Sequence, residues 1–144
     1  MRKISRGLLL AGCLLLIAGL QTSGADKVEP GFTPFFNGKD FTGWKVQKGD
    51  NLDGKSDVKN GRIKVVDGMI VIDGKTKGNL VIETQKNFEK DVHIKFDFKA
   101  GAGCNNDLYF RGNKFDIKKG GVKNLKEGEF QLVEIVVSGD RVEF

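Results

Sequence analysis

The sequence predicts an all-β protein, an antiparallel sandwich, and three observations carry that expectation. No stretch after the first 25 residues holds a helical apolar period. Glycine is abundant, with 20 residues, and with Asn and Asp it punctuates the chain at short intervals. Between these breaks lie runs of strand length, several of them alternating apolar and polar.

The elements follow in order. Ile63-Lys64-Val65-Val66, Asp67-Gly68 and Met69-Ile70-Val71-Ile72 read as a hairpin closed by an Asp-Gly turn. Residues 79–84 give a further short strand. Residues 92–99 alternate most cleanly, with Val92, Ile94, Phe96 and Phe98 assigned to the core and His93, Lys95, Asp97 and Lys99 to the polar face. Residues 107–111 continue the alternation after a glycine-rich loop, with Leu108 and Phe110 inward. Residues 114–117 and 131–137 are two more strands. Ser138-Gly139-Asp140-Arg141 is a turn, and Val142-Glu143-Phe144 opens a strand that nothing completes, so the sandwich is expected to be short at its C-terminus.

The N-terminus is of a different character. Arg2, Lys3 and Arg6 precede a thirteen-residue apolar run from Leu8 to Leu20. That is the pattern of a secretory signal, and it is shorter than the roughly 20 apolar residues that span a bilayer. Small residues at Ser23 and Ala25 place cleavage after Ala25, giving a signal peptide of residues 1–25 and a domain of residues 26–144. Leu10-Ala11-Gly12-Cys13 offers the alternative of a lipoprotein anchored through Cys13. The expected location is therefore secreted or periplasmic, with no transmembrane segment once the signal is removed. Three basic residues and no acid leave with it, so the net charge falls from +5 to +2. A nearly balanced surface without basic blocks does not call for nucleic acid. Cys104, the one remaining cysteine, can form no internal disulfide.

Among motifs that could carry chemistry, Gly74-Lys75-Thr76 lacks the upstream glycine and the following helix of a phosphate-binding loop. The loop Asp50-Asn51-Leu52-Asp53-Gly54 resembles part of a calcium loop but lacks acids at the first and last ligand positions. No cofactor is required by the sequence, and a divalent metal such as Ca²⁺ is the one open candidate. His93 is the only histidine, on a polar strand face, with no nucleophile elbow to serve. Residues 103–112 are the most informative. Period 2 puts Asp107, Tyr109 and Arg111 on one face, with Asn105 and Asn106 at the edge of a glycine-flanked loop. Carboxylate, phenol, guanidinium and amides side by side suit sugar hydroxyls.

The segment Gly31-Phe32-Thr33-Pro34-Phe35-Phe36-Asn37-Gly38-Lys39-Asp40-Phe41-Thr42-Gly43-Trp44 resembles the opening signature of the 3-keto-disaccharide hydrolase domain family. Val65 to Ile70, Phe88 to Phe98 and Asn105 to Gly112 resemble its later pieces, in the same order. The resemblance implies a concanavalin A-like jelly-roll β-sandwich acting on glycosides oxidised at C3. A C3 ketone acidifies the C2 proton, so the group at C1 can leave by elimination before water adds. On that chemistry Asp107 and Asp116 are base candidates, Arg111 the enolate stabiliser and Tyr109 the acid, with Asn105, Asn106, Lys114 and His93 as substrate-binding candidates. Lys114-Phe115-Asp116-Ile117 stands where the family pattern has Y-E-x-Q-I-x-D, so the Glu and Gln of that strand are missing. The expectation is a secreted carbohydrate-active protein. The alternatives are a glycan-binding module without catalysis and an inactive, shortened family member.

Overall fold

Short alternating runs separated by left-handed glycines can bury apolar surface only by pairing into sheets. The structure, a computed structural model, describes residues 28–75 and 78–144. The signal segment, Cys13 and Thr76 of the phosphate-loop motif lie outside the described residues. The described residues divide into two units, one ending at Thr33 and one running from Pro34 to Phe144. In the described part of the first, the Phe32 N–H donates to the Glu29 carbonyl at 3.0 Å.

Among the described residues the regular elements are ten strands: β1 (Trp44–Val46), β2 (Asp57–Val58), β3 (Ile63–Val66), β4 (Met69–Ile72), β5 (Ile82–Thr84), β6 (Val92–Lys99), β7 (Asn105–Phe110), β8 (Asn113–Lys118), β9 (Phe130–Ser138) and β10 (Arg141–Glu143). They form four small sheets with orders β1-β5, β10-β9-β6, β2-β3-β4 and β7-β8. Every named pairing is antiparallel. The fold class is all-β and antiparallel, in keeping with the jelly-roll sandwich expected from the sequence.

The β3–β4 hairpin has the expected ends and turn. Asp67 and Gly68 both take left-handed φ values, 50° and 78°, as a two-residue turn of matching twist requires. Residues 79–84 yield a strand only from Ile82. The pairs β1–β5 and β2–β3 are additions, because strands of two or three residues are too short to show a period.

Two apolar clusters hold the unit. Phe41, Leu52, Val58 and Ile63 are buried together, with Trp44, Val46 and Ile82 packed on them. Phe110, Ile135 and Val137 form the second, with Phe88, Ile94, Phe96 and Leu108 around it. Period 2 therefore sorts β6 and β7 as the sequence predicts, one face to the second cluster and one away from it. Among the described residues no polar or charged side chain is buried.

Candidate functional site

Gly101 and Gly103 precede β7, and the Arg111-Gly112 pair joins it to β8 as a two-residue turn. Arg111 and Gly112 have φ values of 45° and 78°, the pair of left-handed residues such a hairpin needs. The register sets Asp107 against Asp116 and Tyr109 against Lys114. Since successive side chains alternate, Asn105, Asp107 and Tyr109 share one face with Lys114, Asp116 and Lys118, while Leu108 and Phe110 face the second cluster.

That polar face is a connected ladder. The Tyr109 hydroxyl donates to Asp107 Oδ2 at 3.2 Å. Lys114 Nζ reaches Asp107 Oδ1 at 3.4 Å and Asp116 Oδ1 at 2.6 Å. Lys118 Nζ stands 3.5 Å from Asp116 Oδ2. The hydrogen bond from Lys114 holds the Asp116 carboxyl below its ordinary range. The same bond to Asp116 raises the Lys114 ammonium above its ordinary value. Asp116 is thereby a weakened base and Lys114 a firmly protonated donor.

Arg111 departs from the expected face. The turn ends the alternation at Phe110, and the guanidinium swings across to the strand-free segment before β6. There Nε donates to the Phe88 carbonyl at 2.6 Å and a terminal nitrogen donates to the Lys90 carbonyl. Extending period 2 through residue 111 missed the hairpin turn, although Arg-Gly is compatible with one.

A cleft of about 860 Å³ runs beside this hairpin, a volume in the range of sites for small organic ligands. Residues 105–112 line one side, so Asn105, Asp107, Tyr109 and Arg111 all border it, whereas Lys114 and Asp116 do not. The facing wall is β5 and the residues around it, with Trp44, Lys45 and Glu83. Lys45 and Glu83 are cross-strand partners, with Nζ 3.1 Å from Oε1. Sequence reasoning missed this wall because nothing local indicates that β1 pairs with residues forty positions on. The trace that could have pointed to it is Gln85, whose amide donates to the Trp44 carbonyl, Asn51 Oδ1 and Asp53 Oδ1 at 2.9 to 3.0 Å.

A family profile described as a 3-keto-alpha-glucoside-1,2-lyase-like domain matches residues 31–134. The chain belongs to that family. No match was found among curated proteins or among solved structures. Membership gives the lyase-like domain a carbohydrate-active function in general terms.

In this lyase-like domain the opening signature is a folding device. Asn37 Oδ1 accepts the N–H groups of Lys39 and Asp40 at 2.8 and 3.0 Å, and Asp40 Oδ1 accepts from the Thr42 N–H at 2.8 Å. Hydrogen bonds from Thr42 and Asn37 hold the Asp40 carboxyl below its ordinary range. The knot they tie inserts Phe41, fully buried, into the first cluster.

The remaining candidates are dispersed. His93 lies on the polar face of β6, exposed, with Nε2 3.5 Å from Glu134 Oε1, and does not border the cleft. Asn106 borders the cleft but sits on the apolar side of β7, its amide donating to Cys104 Sγ at 3.3 Å. In the acidic loop, Asp53 Oδ1 accepts from the Gly43 N–H at 2.7 Å and Oδ2 from Asn51 at 3.0 Å. These bonds, the Gly43 one foremost, hold its carboxyl below the ordinary range. Among the described residues no three His, Cys, Asp or Glu side chains converge as a metal site. The Asn51 and Asp53 side-chain oxygens of that loop are turned to main-chain and amide partners. No helix among the described residues is long and apolar enough to cross a membrane.

Proposed function

We propose that this is an exported domain that cleaves glycosides oxidised at C3, by elimination across C1 and C2 in the cleft beside β7. The observation that carries this reading is the Tyr109–Asp107 pair, joined at 3.2 Å on a strand that borders the cleft along its whole length. Asp107 removes the C2 proton. The electron pair forms the C1–C2 double bond, and the bond from C1 to the leaving oxygen breaks. Tyr109 protonates that oxygen. Asp107 then returns its proton to Tyr109 through their hydrogen bond, which closes the cycle, and water adds to the double bond in a later step.

Asp116 is the second base candidate, but its bond to Lys114 and its position off the cleft favour Asp107. Lys114 touches both carboxylates and sustains a positive charge behind them. Arg111 adds positive potential at the cleft border, where the enolate forms. Asn105 supplies an amide to sugar hydroxyls. The test is incubation of the protein with 3-keto-glucosides, with and without divalent metal, following aglycone release. Release is the expected result. Ligand-induced thermal stabilisation without product would instead identify a glycan-binding module.

A further inference from the structure

The two-residue turn sets the hydrogen-bonding phase of the whole β7–β8 hairpin. Residues flanking such a turn, Phe110 and Asn113, exchange both main-chain bonds, and the pairs then alternate between bonded and unbonded. Leu108 and Phe110 thus direct their N–H and C=O groups to β8, and Asn105, Asp107 and Tyr109 direct theirs away from it. An independent contact confirms the phase. The Lys118 carbonyl accepts from the N–H groups of Gly121 and Val122 at 2.9 and 3.2 Å, so it faces away from β7. Lys118 pairs with Asn105, which makes that pair, and every second one after it, unbonded.

Among the described residues β7 has β8 as its single strand neighbour, so its other edge is free of strand pairing there. The cleft runs along that edge: residues 105–112 line it and residues 113–118 do not. Asp107 and Tyr109 therefore present their main-chain N–H and C=O to the cleft, one donor and one acceptor side by side, repeated about 7 Å apart. A sugar hydroxyl donates and accepts at once and is the chemical complement of such a pair. Pairing to β8 holds these groups in place, so their orientation costs nothing when the ligand arrives. The Arg111 guanidinium, in contrast, is committed to the Phe88 and Lys90 carbonyls.

Resting on the function proposed above, we infer that the free edge of β7 is a sugar-binding edge. The main-chain N–H groups of Asp107 and Tyr109 donate to oxygens borne on the sugar ring of the substrate, one of them the C3 ketone oxygen. Arg111 is then a positioning residue, which fixes the segment bordering this edge and adds field without touching the ketone.

Amide hydrogen exchange by NMR tests this on the intact protein, with methyl 3-keto-glucoside as probe because its poor leaving group lets the complex persist. In the free protein the amides of Asp107 and Tyr109 exchange fast while those of Leu108 and Phe110 are protected. The probe slows exchange at Asp107 and Tyr109 at least tenfold. Replacing the Tyr109 N–H by an ester oxygen, with 4-hydroxyphenyllactate in place of the tyrosine, keeps the phenol and weakens probe binding about tenfold. Protected Asp107 and Tyr109 amides in the free protein overturn the inference, as does a dimer that buries them through strand pairing. Turnover of 3-keto-glucosides with these amides unaffected by ligand overturns the edge and leaves the proposed function standing. Absence of both binding and turnover in the unmodified protein overturns the two together.

Discussion

Replacing Arg111 separates its structural work from any chemical role, because two opposing terms act at this one residue. Arg111→Met removes the charge-assisted bonds to the Phe88 and Lys90 carbonyls. Bonds from charged donors net about 1.5–3 kcal/mol when sheltered. This side chain is exposed, so roughly 1–2 kcal/mol for the pair is the reasonable expectation. Met must also keep the left-handed φ of 45°, a conformation that costs a non-glycine residue about 1 kcal/mol. Arg111→Asn loses the same bonds but tolerates that φ, as is usual for Asn at the first position of such turns. The Asn variant should therefore be close to the parent, and the Met variant about 1 kcal/mol below the Asn variant. Urea unfolding with unchanged m-values reads both differences. A Met variant as stable as the parent would refute the clamp onto the 88–90 segment. An Asn variant no more stable than the Met variant would refute the turn geometry, and with it the phase of β7.

Other consequences follow from the polar ladder and from the alternation of β7. The Asp116 carboxyl is depressed below its ordinary 3.8 chiefly by Lys114. Its contribution to stability is thus complete above that value and is lost as pH falls through the folded-state pKa. Lys114 is raised above its ordinary 10.5 chiefly by Asp116, so its contribution is complete below 10.5 and lost as pH rises through the raised value. In Lys114→Met, an NMR titration should find the Asp116 carboxyl moved up toward its ordinary range, and an unmoved Asp116 would contradict the pairing. Leu108→Asp puts a charge against Phe110 and the second cluster and should cost about 2–3 kcal/mol. Asp107→Leu on the opposite face should leave the unfolding midpoint nearly unchanged. A reversal of these two stabilities would show the register slipped by one residue.

Much of the fold was legible because its information is local. The Asp67-Gly68 turn, the alternation of residues 92–99 and the turn after Ser138 each declare themselves within ten residues. β1 and β2 do not: Trp44–Val46 becomes a strand through its pairing with Ile82–Thr84 and through the Gln85 amide that ties it to Asn51 and Asp53. Asp107 and Tyr109 could be placed together because they lie two apart on one strand. Lys114 and Asp116 joined them only through the register of the hairpin. Arg111 was misplaced because a strand period says nothing about where a turn interrupts it, and here the turn falls at residue 111. The Lys45–Glu83 wall and the free edge of β7 needed the sheet orders themselves, which depend on contacts distant in sequence.

Turnover of one 3-keto-glucoside by the parent protein and by Asp107→Asn, measured side by side, tests the central claim most directly. Asn keeps the size and the hydrogen-bond acceptor for Tyr109 but cannot take the C2 proton, and Asp107 lies on the exposed face of β7. The account predicts steady aglycone release by the parent and a fall of about 10²–10⁴-fold in a variant of unchanged unfolding midpoint. Equal release by the two proteins would contradict it.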